Sequence, residues 1–173
     1  RLDLLYLPPV APLPPAAPPA LPPPAAPSPA VPPLEVGTFD SSVTTGTLTV
    51  AHKFGGAAAV GNKVVFAPTN ADVVGVFDVS TGALDTSVST GTLTIDSKFE
   101  GAAAVGTKVV FAPRKADVLG VYDVSTSTFD ASVTTGTLTS DNDKFAGAAT
   151  APNGLVVCAP WQANCVGTYN ASS

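Results

Sequence analysis

Two stretches of twenty residues, KVVFAPTNADVVGVFDVSTG at 63–82 and KVVFAPRKADVLGVYDVSTS at 108–127, are nearly the same text. They belong to a longer period. FDSS, LDTS and FDAS begin at Phe39, Leu84 and Phe129, so 84 − 39 = 129 − 84 = 45, and GTLT recurs at Gly46, Gly91 and Gly136 with the same spacing. Residues 39–83 and 84–128 are identical at 31 of 45 positions. The third copy drifts: Lys53-Phe54 and Lys98-Phe99 are answered by Lys144-Phe145 one residue late, and APNG at 151–154 replaces a shorter VGN. A unit repeated in this way is one supersecondary motif that must bury its apolar surface against its neighbours.

The content of one unit names the motif. GAAAV is a short strand of small residues, suited to a crowded centre where a large side chain would collide. GNK turns the chain. KVVFA is β-branched and aromatic, and Pro68 ends it because proline cannot donate to a sheet ladder. TNAD supplies hairpin chemistry, DVVGVFDV is a third strand, and ALDTSVSTGTLT is a fourth, Ser/Thr-rich segment. The second and third strands are apolar on both faces, as expected of a sheet held between two other sheets. Four strands that grow more polar outward are the profile of a β-propeller blade, and a period of 45 suits a blade better than the shorter turns of β-helices or leucine-rich arrays. The expected fold is all-β, with three four-stranded blades near 55–92, 100–137 and 146–173; a β-solenoid is the structural alternative.

The pattern KF.GAA…G.KVVFAP..ADV.GV.DVST, with its AAT-APNG-LVV-CAP variant, resembles the kelch-like and WD-repeat-like units of algal and protist propeller proteins. The resemblance covers about four fifths of the chain and implies a propeller fold. The Trp-Asp dipeptide is absent, and Gly-Gly occurs only at 55–56.

The chain enters the repeats at VGTFDSSV (36–43), which matches a third strand running into a fourth, and leaves at VGTYNASS (166–173), which matches a third strand. The last blade is therefore expected to lack its outer strand, with 36–45 as a spare one, an arrangement resembling the strand exchange that closes propeller rings. A ring takes at least four blades in the usual range. Two copies would give 3 + 3 = 6; a fragment of a longer chain is the other reading, and the sequence leaves both open.

Residues 1–35 obey different physics. Positions 1–33 hold 14 of the 18 prolines, with few backbone donors and no hydrophobic periodicity. They are expected to form a polyproline II arm, ~80 Å long over 8–33 if straight. Such an arm is either a solvated linker or a strap laid along a partner, and the motif class fits ligands of aromatic-lined grooves. The Pro-Ala and Ser-Pro runs resemble algal hydroxyproline-rich glycoproteins.

Candidate sites divide into positions that repeat and positions that do not. Asp72 and Asp117 become Asn164, and Asp78 and Asp123 become Asn170. Carboxylates ringed around a channel could bind Ca²⁺, but Asp-to-Asn exchange keeps an acceptor while losing charge, which favours turn capping. His52, the only histidine, lies in a polar linker with no positioned partner and is read as an exposed loop residue. Cys158 and Cys165 flank CAPWQANC symmetrically; they are expected either to face each other as a disulfide or to be two small buried apolar residues. Zinc would need two further ligands. The loop between the second and third strands reads Thr69-Asn70, Arg114-Lys115 and Trp161-Gln162. These residues break the repeat, so Asn70, Arg114, Lys115, Trp161 and Gln162 are the candidate interaction positions, an exposed Trp near Arg being typical of interface anchors. Asn170-Ala171-Ser172 is an N-glycosylation sequon.

No catalytic set, phosphate loop, cofactor motif or metal constellation stands out. A net charge of −5 and a pI near 4.5 make nucleic-acid binding improbable, and no apolar run approaches a membrane span. The expectation is a non-catalytic scaffold or interaction module, strapped by its arm to protein partners in a larger assembly, with self-association as a second mode. A disulfide or a glycan would place it outside the cell, at the cell surface or in an organelle lumen. The alternative is a glycan- or small-ligand-binding propeller using the same loops.

Overall fold

The computed structural model describes residues 36–138 and 143–171. The proline-rich arm (1–35) and Ser172 of the sequon lie outside them. The described chain is all-β, and its eleven strands form three antiparallel sheets. The first contains β1 (Phe54–Val60), β2 (Lys63–Pro68), β3 (Gly75–Asp78) and β4 (Ala83–Asp85), in that spatial order. The second repeats it with β5 (Phe99–Val105), β6 (Lys108–Pro113), β7 (Gly120–Asp123) and β8 (Thr128–Asp130). The third has β9 (Phe145–Thr150), β10 (Leu155–Pro160) and β11 (Gly167–Asn170), with no fourth strand among the described residues. These are β-propeller blades.

Register follows the repeat. Phe66 faces Gly75 in the first blade, Phe111 faces Gly120 in the second, and Cys158 faces Gly167 in the third. β1 and β5 each bulge after their Phe, between Phe54 and Ala57 and between Phe99 and Ala102. The bulge uses a glycine at positive φ, +109° at Gly56 and +92° at Gly101. These glycines have a second reason to be there. A Cβ on Gly56 would sit 2.7 Å from the Cα of Gly101, and one on Gly101 would sit 2.5 Å from the Cα of Gly147. The innermost strands of successive blades therefore touch backbone to backbone, as the small-residue composition of GAAAV predicts.

Apolar side chains fill the seams between blades. Val65, Ala67, Val74, Phe99, Val109 and Phe111 form the first core, and Val110, Ala112, Phe145, Val156 and Cys158 belong to the second. Among the described residues only the middle blade has both faces covered: five consecutive residues of β6, Val109 to Pro113, are buried, whereas Val64 and Phe66 of β2 are half-buried and Ala159 and Pro160 of β10 are exposed. Each fully buried Val or Phe contributes on the order of 1.5–3 kcal/mol, so the seams carry most of the stability.

The outer segment departs from expectation. Instead of a strand through 83–94, only three residues pair, and the chain turns at once. The carboxylate of Asp85 accepts the Ser87 N–H at 2.8 Å, and that of Asp130 accepts the Ser132 N–H at 2.8 Å. Pairing returns only as the isolated bridges Val73↔Ser89 and Val118↔Thr134. Ser and Asp so placed divert backbone donors from the ladder. Residues 36–45, the anticipated spare strand, form no strand with the described residues of their own chain and are exposed.

Candidate interaction rim

The non-repeating loops sit at equivalent places in the three blades. Thr69 donates its N–H to the Lys53 carbonyl at 2.9 Å, Arg114 to Lys98 at 2.9 Å, and Trp161 to Lys144 at 2.8 Å. Each loop then serves the next blade. The Lys98 N–H reaches the Thr69 carbonyl at 3.0 Å, and the Lys144 N–H reaches the Arg114 carbonyl at 2.9 Å. The loops thus form one rim crossing the seams.

Side chains on this rim differ in what they leave free. Asn70 is spent internally: its amide nitrogen donates to the Ala51 carbonyl at 3.1 Å, and its oxygen accepts the Ser97 N–H at 2.8 Å. Arg114 is held by two carboxylates, Glu100 at 2.7 Å and Asp143 at 2.7 Å. The hydrogen bond to Asp143, together with the charge of Glu100, pushes the guanidinium pKa above its ordinary value. Lys115 and Gln162 are exposed, and Trp161 is 66% exposed, unusual for so large an apolar surface. Of the five candidates, Lys115, Trp161 and Gln162 are open to a partner, while Asn70 and Arg114 fasten one blade to the next.

Between the first two blades lies a cleft of about 400 Å³ whose lining includes His52, Phe54, Asn70, Ser97, Glu100 and Arg114. His52 is exposed, as anticipated. Its φ of +52° places it in a left-handed turn, and its carbonyl accepts the Asn70 N–H at 3.1 Å.

The repeating carboxylates have two different jobs. Asp78 and Asp123 cap turns, accepting the Ser80 N–H at 2.8 Å and the Ser125 N–H at 2.9 Å. Both are held below the usual carboxylate range, Asp78 first by a 2.6 Å hydrogen bond from Lys63 and Asp123 first by Ser125. Asp72 and Asp117 do not cap turns with their side chains. They reach across the seam to buried lysines: Lys98 Nζ lies 2.8 Å from Asp72, and Lys144 Nζ lies 3.0 Å from Asp117. The lysine side chains are 0% and 1% exposed. A buried ammonium demands a partner, and the repeat supplies one from the preceding blade. Sequence reading missed this pair, although the signal was available: each Lys-Phe follows a recurring Asp by 98 − 72 = 26 or 144 − 117 = 27 residues. Among the described residues no three His, Cys, Asp or Glu side chains group as a metal site would need.

Neither reading of the cysteine pair holds in full: there is no disulfide, and only one of the two is buried. Cys158 and Cys165 are free, the first buried and the second exposed. The reason is register: Cys158 faces Gly167, so Cys165 falls two residues past the pair. Burial pushes the Cys158 thiol up to about 11. In native protein at a pH of about 8, a little below the usual thiol range, a reagent such as dithionitrobenzoate should label Cys165 within minutes and Cys158 only after unfolding. Failure to label either thiol would mean that the two are bonded.

No protein-family model matches this chain, and no curated protein sequence matches it. Solved structures do resemble it. Hydrazine synthase of Kuenenia stuttgartiensis superposes with a TM-score of 0.55 at 14% identity, over 75% of this chain and 36% of that one. A nidogen/laminin complex gives 0.50 at 18% identity, over 68% of this chain and 44% of that one. This chain therefore spans less than half the length of each. Both likenesses are to β-propeller-like structures, and at such identities they show the fold alone.

Proposed function

We propose that the protein is a non-catalytic, protein-binding scaffold module that presents Trp161, Lys115 and Gln162 on a rigid propeller rim and is strapped to its assembly by the proline-rich arm. The observation that carries the reading is the division of labour among polar side chains. The carboxylates that recur from blade to blade are consumed in turn caps and in ion pairs across the seams. The exposed rim residues are the ones that differ, and they include the single Trp of the chain. A stiff body with variable loops suits recognition, since function concentrates on loops held by a scaffold. Trp is among the residues most enriched as interface anchors.

The test uses two changes on the full chain. Deleting residues 1–33 should release co-purifying partners held by the strap. Trp161→Ala should weaken rim contacts by about tenfold or more while leaving the fold intact. Unchanged partners after both changes, with retained binding to a glycan array, would favour the ligand-binding alternative through the polar cleft beside Asn70 and Ser97.

A further inference from the structure

We infer that the cleft between the first two blades takes a neutral sugar, two adjacent hydroxyls of which are gripped by the Glu100 carboxylate and the Arg114 guanidinium. The inference gives the ligand-binding alternative a site and a ligand class, and it depends on neither a rim partner nor the arm. Both walls belong to four-stranded sheets, the first and second blades.

The repeat explains why there is space here. In the seam between blades two and three, Arg114 reaches across to Asp143, Nε to Oδ1 at 2.7 Å. In the seam between blades one and two the same two places hold Thr69 and Ser97. The backbone confirms the match: the Lys115 N–H bonds the Ser97 carbonyl at 3.0 Å, as the Gln162 N–H bonds the Asp143 carbonyl at 2.9 Å. A long cation and its carboxylate are thus replaced by two short hydroxyl side chains, and about 400 Å³ opens between the blades. Small-molecule pockets span about 300–1,000 Å³.

The walls are fixed before any ligand arrives. The Thr69 hydroxyl donates to the Phe99 carbonyl at 2.9 Å, and the Asn70 side-chain oxygen accepts the Ser97 N–H at 2.8 Å. A Cβ on Gly55 would sit 2.5 Å from Thr69 Oγ1, so the inner strand lies tight against the loop. Binding therefore orders little that is not already ordered.

Charge selects the ligand. The side chains of Arg114 and Glu100 are 32% and 38% exposed and meet at 2.7 Å. Arg114 uses Nη1 on Glu100 and Nε on Asp143, and Glu100 uses Oε2 on Arg114. A guanidinium has further N–H donors and a carboxylate further lone pairs, so both keep capacity for a ligand. An anion drawn to Arg114 would meet two carboxylates, and a cation drawn to Glu100 would meet the guanidinium. An uncharged ligand meets neither repulsion. A donor and an acceptor side by side match two adjacent hydroxyls, one accepting from Arg114 and the other donating to Glu100, through charge-assisted hydrogen bonds. Ser97 and the exposed His52 add a hydroxyl and an imidazole to the lining.

The test titrates glucose, galactose and mannose into the full chain, read by calorimetry or saturation-transfer NMR. At least one should bind with a Kd of about 1–10 mM, as suits so small a ligand. The 2-amino and 6-carboxylate derivatives of the hexose that binds should bind at least ~fivefold more weakly. Glu100→Gln leaves the bond between Arg114 and Asp143 in place and should weaken the hexose by about tenfold. Thr69→Arg/Ser97→Asp should copy the neighbouring seam, fill the cleft and abolish binding without lowering the melting temperature. Should that double variant fail to fold, Glu100→Gln decides alone. No binding of any of the three hexoses at ~50 mM would overturn the proposal. So would tighter binding of a charged derivative, or unchanged binding in Glu100→Gln. Trp161→Ala should leave the sugar in place, so loss of a rim partner and loss of the sugar are separate results.

Discussion

Asp72→Ala should cost the fold about 2–3 kcal/mol, far more than an ordinary change at a half-exposed carboxylate. The cost lies in the residue left behind. Lys98 has a fully buried side chain, and its ammonium has two acceptors, Asp72 at 2.8 Å and the Ile95 carbonyl at 2.9 Å. Removing the carboxylate leaves a buried charge with one neutral acceptor. Breaking a buried pair from one side costs about 3–5 kcal/mol. The lower figure applies because the Asp72 side chain is 54% exposed and water can partly replace it. With a urea m-value of about 2 kcal/mol/M, the unfolding midpoint should fall by ~1 M. Asp72→Asn should lose under ~1 kcal/mol, because an acceptor remains; the third repeat itself carries Asn164 at this position. Equal losses from Ala and Asn would show that the seam depends on the carboxylate's charge and not merely on an acceptor at this place.

Gly101→Ala should be worse still. A Cβ there would lie 2.5 Å from Gly147 Cα, 2.9 Å from Gly147 C and 3.0 Å from Ala148 N. All three are backbone atoms of the next blade, so no side chain can swing aside. The residue also sits at φ +92°, where an L-residue is strained. Overpacking costs about 1–3 kcal/mol and the strain about 1–2 more. A loss of ~3–4 kcal/mol would leave a marginal protein. Gly106→Ala is the control: φ is +59° there and nothing lies within 4 Å, so only the strain of ~1 kcal/mol remains. Thermal unfolding of the two variants separates the terms. Similar melting points would deny the close approach of the inner strands.

The parts of the fold that could be read from sequence were those encoded locally. GAAAV, KVVFA and the strand ending at Asp78 carry their own strand chemistry and turns, so their order, polarity gradient and crowding at the centre were legible. The outer segment was not, because its Ser, Thr and Asp side chains compete with the ladder and shorten it to three residues. Register across a hairpin was legible only to within two residues. One of the two readings of the cysteines put Cys165 opposite Cys158, where Gly167 holds the place. The rim was read as a set of loops, but sequence could not tell which side chains were free. Arg114 is consumed by Glu100 and Asp143, residues brought close by the bulge and by the neighbouring blade. The buried lysines were the largest omission. A Lys ahead of a Phe looks like surface, and only the stacking of blades buries it against an Asp 26 residues away.

A double-mutant cycle on Asp72 and Lys98 probes that stacking most directly, because the two residues belong to different blades and can couple only if the sheets pack face to face. Asp72→Ala, Lys98→Met and the double variant should give a coupling of about 2 kcal/mol, with the double variant more stable than Asp72→Ala alone. Additive losses, with coupling under ~0.5 kcal/mol, would contradict the packing of one blade on the next.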